Sequence, residues 1–156
     1  MAGKANTQVE IEYKAQKTEA LTFAVADARP GIFTWDSSGK GQGLILNEDG
    51  SLNSASNPAA SFHCRFLRYR RGQTDPGGVD GKPATDALPK PRLQVSVTIG
   101  GQEADVLYAG AAPGLVAGAT QVNPRISSGA ASGSAVAILL TVGNMSSPPG
   151  VTMAVR

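Results

Sequence analysis

Leu93-Gln-Val-Ser-Val-Thr-Ile-Gly-Gly-Gln-Glu-Ala-Asp-Val-Leu-Tyr108 decides the fold class of this chain. Leu93, Val95, Val97 and Ile99 alternate with Gln94, Ser96 and Thr98, the period of two that marks a strand with one buried face. Gly100-Gly101 supplies two residues free to take the positive φ that a tight hairpin turn demands. Ala104, Val106 and Tyr108 then return on the same alternation. The stretch predicts a β-hairpin.

The same grammar continues on both sides of it. Downstream, residues 109–119 form a Gly/Ala/Pro connector. Val122 to Ile126 reads as a strand interrupted by Pro124, which suits an edge or a bulge. Val136, Ile138, Leu140 and Val142 mark another strand, residues 144–150 a turn, and Val151, Met153 and Val155 a last strand. Upstream lies a long Pro/Gly loop over residues 74–91. Before it, Leu44-Ile45-Leu46 is a short strand, and Asn47-Glu-Asp-Gly50 is a turn whose Asp-Gly tolerates positive φ. Residues 36–43 form a Gly-rich loop, and Arg29-Pro30-Gly31 breaks the pattern as a boundary.

Ahead of that boundary, Val9, Ile11 and Tyr13, then Leu21, Phe23 and Val25, alternate with polar residues around a turn at residues 14–19. Two strands alone are marginal in water, so this hairpin needs covering. Short strands at this spacing without helical periodicity predict an all-β, immunoglobulin-like antiparallel β-sandwich over residues 29–156. Residues 1–28 are an extra N-terminal hairpin.

Composition agrees. Nineteen Gly and ten Pro in 156 residues suit many turns and few helices. The longest apolar run, Ala135 to Leu140, is far below the roughly 20 residues of a membrane-spanning helix, and no membrane partner is expected. Met1-Ala-Gly-Lys4 lacks the apolar core of a signal peptide. A single Cys allows no internal disulfide. The net charge of +2 argues against a dedicated nucleic-acid binder.

All of that positive bias sits in Ser61-Phe-His-Cys-Arg-Phe-Leu-Arg-Tyr-Arg-Arg71, which holds four of the fourteen basic residues and no acidic one. Without it the chain has ten basic against twelve acidic residues. The stretch also contains the only His and the only Cys. His63, Cys64 and Arg65 form the candidate catalytic set of an atypical hydrolase, because nearby Arg residues lower a thiol's pKa and activate it. Against this, adjacent residues of a strand point to opposite faces, so His63 is badly placed to serve Cys64 as a base. One His and one Cys also fall short of a zinc site.

Other candidates lie elsewhere. Trp35, the only Trp, is either a core plug or an exposed platform for a sugar ring. Arg68 and Tyr69 join it as candidate ligand-binding residues, from an Arg/aromatic alternation of the kind that stacks on ligands or grips anions. Asp75, Asp80 and Asp86 in the long loop are candidate oxygen ligands for Ca²⁺; no other cofactor is expected. Glu10 with Glu12, and Glu103 with Asp105, share strand faces and read as solvated surface charge. No G-x-S-x-G, phosphate-binding loop or H-E-x-x-H occurs.

Many turn motifs occur in a familiar order: Ala28-Arg-Pro-Gly-Ile-Phe-Thr34, Gly41-Gln-Gly-Leu-Ile-Leu-Asn-Glu-Asp-Gly-Ser-Leu-Asn-Ser54, Asn57-Pro-Ala-Ala60, Gly72-Gln-Thr-Asp-Pro76, Gly78-Val-Asp-Gly81, Val97-Thr-Ile-Gly-Gly101, Tyr108-Ala-Gly-Ala-Ala-Pro-Gly114 and Gln121-Val-Asn123. Together they resemble the immunoglobulin-like C-terminal domains of large secreted acidobacterial proteins. The resemblance implies a surface or adhesive module without catalytic residues, and with Trp35 the expectation is a non-catalytic, extracellular or cell-surface module that binds surfaces, polysaccharide or a cell-surface protein. It also implies that residues 8–26 close a preceding immunoglobulin-like unit.

One segment departs from the pattern. Between Asn-Pro-Ala-Ala and Gly-Gln-Thr the family carries an apolar strand, where this chain has Ser61–Arg71, one residue shorter. Codons for residues 62–71 read one base out of register can encode Ser-Ile-Val-Val-Ser-Tyr-Ala-Thr-Gly-Glu, which implies a compensated frameshift. Codons in the gene that cannot encode this apolar strand in the shifted frame would exclude that origin. A core strand so altered favours a strand-swapped homo-oligomer.

Overall fold

A computed structural model describes residues 4–60, 73–79, 81–85 and 88–156, together with the backbone of residues 64–69. The described residues contain sixteen strands and no helix. In chain order they are β1 (Asn6–Val9), β2 (Glu12–Tyr13), β3 (Gln16–Lys17), β4 (Leu21–Ala24), β5 (Gly31–Ile32), β6 (Gly41–Gln42), β7 (Ile45–Asn47) and β8 (Cys64–Tyr69). Then follow β9 (Thr74–Asp75), β10 (Lys90–Pro91), β11 (Val95–Ile99), β12 (Gln102–Ala111), β13 (Thr120–Arg125), β14 (Gly133–Val142), β15 (Met145–Ser146) and β16 (Val151–Val155).

The main sheet runs β5-β8-β13-β12-β11-β14-β16-β6, with β7 also on β8 and β15 also on β14. It curls so that its two halves face each other, an all-β immunoglobulin-like sandwich. The hairpin of β11 and β12 sits at its centre. Val97 pairs with Ala104 and Ile99 with Gln102, around Gly100 and Gly101 at φ 59° and 79°. β14 then lies along β11, from Val95 opposite Val142 to Ile99 opposite Ile138. The inward rows fuse into one core: Ile32, Ile45, Val97, Ile99, Val122, Ile138, Leu140 and Met153 are all buried in it. Burial of this apolar surface is the main driving force of the fold.

The structure decides three local expectations. First, β12 runs on through Ala111, where a connector was expected, and a bulge at Leu107 shifts its register between Val106 and Tyr108. The inward alternation therefore passes from Ala104 and Val106 to Ala109 and Ala111, and Tyr108 drops out of the core. Its ring lies over Gly110, where a Cβ would fall 2.5 Å from the hydroxyl. Burial pushes the Tyr108 pKa up, and the protonated hydroxyl donates to the Ala111 carbonyl at 2.7 Å.

Second, of the edge or bulge expected at Pro124 it is the bulge that occurs, because β13 is an interior strand between β12 and β8. Pro124 is tolerated because it stands opposite Val106 beside the bulge, and the β8 ladder ends at Val122. Third, the sandwich is not wholly antiparallel, since β6 runs parallel to β16.

Residues 64–69 occupy a central slot. The β8 backbone pairs with β13 on one side, and with β5 and β7 on the other. Position 66 is in register with Val122 and Ile45, and position 68 with Thr120 and Ile32. All four partners are buried.

The N-terminal hairpin forms sheets of its own. β1 pairs with β4 from Asn6 opposite Ala24 to Val9 opposite Leu21, and β2 pairs with β3 around a tight turn at Lys14-Ala15.

Candidate functional site

Trp35 stands at the start of a loop that the sandwich holds at both ends. Thr34 bridges Gly43, the Trp35 amide donates to the Gln42 carbonyl at 3.0 Å, and the Leu44 amide donates to the Phe33 carbonyl at 2.8 Å. The far limb is tied to the last strand: Gly41 N–H donates to Gly150 O at 2.7 Å, and Gly43 N–H to Thr152 O at 2.8 Å.

Inside the loop, buried Thr34 closes the turn, its Oγ1 accepting from the Gly39 amide at 2.9 Å and its carbonyl from Ser37 N–H at 3.1 Å. Asp36 Oδ1 accepts from the Ser38 amide at 3.0 Å and from the Ser38 hydroxyl at 2.7 Å. Those two bonds hold the Asp36 pKa below its ordinary value. The carboxylate is thus in its bonding form throughout the neutral range.

On this tied frame the Trp35 side chain is 67 % exposed. The core plug expected of a lone Trp is therefore absent at this position, and the core is aliphatic instead. A flat, bare indole carried on a tied backbone offers a stacking surface. Ser37 and Lys40, both exposed in the same loop, supply hydrogen-bond donors.

Behind the loop lies a polar lock. Asn53 Nδ2 donates to the Asn47 side-chain oxygen at 3.0 Å and to the Ala154 carbonyl at 2.8 Å, while Ala154 N–H donates back to Asn53 Oδ1 at 2.8 Å. Gln42 Nε2, from β6, donates to the same Oδ1 at 3.2 Å. The Asn-Glu-Asp-Gly-Ser-Leu-Asn motif thus serves to pin residues 47–53 against β16. Its role here is structural.

The remaining candidates are scattered. His63, Asp80 and Asp86 lie outside the described residues. Cys64 and Arg65 are placed by backbone only, opposite Asn47 and Leu46 of β7; Arg68 and Tyr69 likewise stand opposite Ile32 and Gly31 of β5. Asp75 is exposed in β9, opposite Lys90. Among the described residues no group of three His, Cys, Asp or Glu side chains is placed to hold a metal ion.

The acidic pairs behave as surface charge. Lys17 bridges Glu10 at 2.9 Å and Glu12 at 3.7 Å, and Arg125 approaches Asp105 at 3.9 Å, all exposed. Such pairs contribute little to stability.

One surface was not legible beforehand. An open groove of about 440 Å³ is lined by Lys90, Arg92, Gln94, Val106, Leu107 and Tyr108 among others. It exists because the bulge at Leu107 turns Tyr108 away from the core, and nothing in the local sequence announces a bulge there.

Compared with protein-family models, curated proteins and solved structures, the chain has no match.

Proposed function

We propose that this chain is a non-catalytic, extracellular immunoglobulin-like module that binds polysaccharide, with Trp35 as the stacking platform. What supports the reading is the bare indole of Trp35 on a loop whose backbone is tied to β16. Aromatic rings stack on the apolar faces of sugars, and the tied loop backbone limits what must be ordered in doing so. The extracellular placement rests on the resemblance to domains of secreted proteins. The hydrolytic alternative at His63, Cys64 and Arg65 falls on side chains outside the described ones.

The test is retention on a panel of insoluble polysaccharides, with Trp35→Ala as the paired variant. Loss of an anchoring Trp weakens binding by about 10- to 100-fold, and Trp35→Phe keeps part of it. No retention on any polysaccharide, or equal retention of the Ala variant, would overturn the proposal.

A further inference from the structure

We propose that the groove beside Tyr108 is a second binding site, which takes a carboxylated sugar residue of an acidic polysaccharide. The fold opens this groove between two ties. The β11–β12 ladder ends with Val97 opposite Ala104. Among the described residues the next backbone bond between the two segments is Ala111 N–H to the Pro89 carbonyl, at 2.8 Å. Between these ties residues 90–95 and 106–109 part around an opening of about 440 Å³, within the roughly 300–1,000 Å³ of small-ligand sites.

The lining divides by chemistry. Lys90, Arg92 and Gln94 are exposed and form a polar rim, while Val95, Val106 and Tyr108 are half-buried and form an apolar wall. The Tyr108 hydroxyl already donates to the Ala111 carbonyl, which holds the ring in place. Two cations line the groove and no carboxylate does. Asp75 stands opposite Lys90 across β9 and β10. The ion pairs among the described residues lie elsewhere, at Lys17 and Arg125. Arg92 Nη1 reaches only the neutral Gln73 Oε1, at 3.4 Å.

Unpaired cations above an apolar wall suit a ligand with a carboxylate at its edge and C–H groups on its face. That is the chemistry of a uronic acid ring. A bare inorganic anion would leave the wall unused. A nucleic-acid strand engages more cations, about six to ten for a typical site. An extended acidic peptide would lay backbone N–H and C=O groups on a wall where Gln94 supplies the one side-chain amide. The choice of sugar over peptide rests on the reading of the chain as a polysaccharide module, but the groove shares no residue with the Trp35 loop.

Binding of the full chain to polygalacturonate decides the matter, with the methyl-esterified polymer as its uncharged twin. The expected result is binding to the acid form that weakens as salt rises, and binding to the ester that is about 10-fold weaker or less. Lys90→Gln with Arg92→Gln should lose about 10- to 100-fold on the acid form. Its melting temperature should not change, because both side chains are exposed. Leu107→Glu, which sets a carboxylate on the groove, should weaken binding in the same way. Trp35→Ala should keep the charge-dependent binding, so that failure of the Trp35 platform and failure of the groove are read separately. No binding to polygalacturonate, equal binding of the acid and ester forms, or full binding by the double Gln variant overturns the proposal. Loss of the charge-dependent binding in Trp35→Ala does so too, since it moves the anion to the other loop. Poly-glutamate bound as tightly as polygalacturonate overturns the assignment to a sugar.

Discussion

The hairpin of β11 and β12 and the ribbon of β1 and β4 are written in the same code and meet opposite fates. Val95, Val97 and Ile99 alternate with polar residues just as Val9, Leu21 and Phe23 do. Val97 and Ile99 are sealed in the core, whereas Val9, Leu21 and Phe23 face solvent. Alternation sets which side of a strand is apolar; it does not say whether another layer of the same chain will cover that side. The inner hairpin is covered because β14 adds on its flank and the curled sheet brings β13 and β16 over it. No strand of the sandwich pairs with the ribbon among the described residues.

The largest contrast should come from one truncation in each region. Leu140→Ala empties a fully buried site beside Val97 and should cost about 3–4 kcal/mol in denaturant unfolding. Phe23→Ala, measured at low concentration, should change stability by no more than about 0.5 kcal/mol. Comparable losses would mean that the ribbon is packed in the monomer after all.

A second difference is polar. The sandwich has a buried lock at Asn53, which the ribbon lacks. Asn53→Ala leaves the amide and carbonyl of Ala154 and the Asn47 side-chain oxygen without their partner. An expected loss of about 2–3 kcal/mol should appear in thermal or denaturant melts. An unchanged midpoint would reduce the lock to decoration.

The smallest effect has the opposite sign. Thr120 is fully buried, and its Oγ1 has no hydrogen-bond partner among the described residues. Thr120→Val keeps the shape and removes the unpaired hydroxyl, so it should stabilise the chain by about 1 kcal/mol. Destabilisation would show that the hydroxyl has a partner contributed by the β8 side of the slot.

Much of the fold was legible in the residues, because period-two patterns and Gly-centred turns act locally. The hairpin at Gly100-Gly101, the turn at Gly50 and the strand from Val136 to Val142 needed no tertiary information. Less of the candidate site could be read. Trp35 in sequence fits a core plug as well as a platform, and only the ties to Gln42 and β16 place it outside. The groove at Tyr108 depends on a bulge in the β12–β13 pairing, where the register shifts between Val106 and Tyr108. The parallel pairing of β6 with β16 joins residues more than a hundred positions apart, beyond the reach of local patterning.

What the sequence determined by itself was the all-β class, the position of the central hairpin, and the oddity of Ser61–Arg71 amid apolar strands. What the tertiary structure decided was placement. Positions 64–69 run as an interior strand, with 66 and 68 in register with buried Val122, Ile45, Thr120 and Ile32, while the well-patterned ribbon is left outside. The physical reason is that strand pairing is made by backbone N–H and C=O groups, of which only Pro lacks the N–H. A backbone ladder can therefore draw an unlikely sequence into a central slot, but an apolar face is buried only where another layer reaches it.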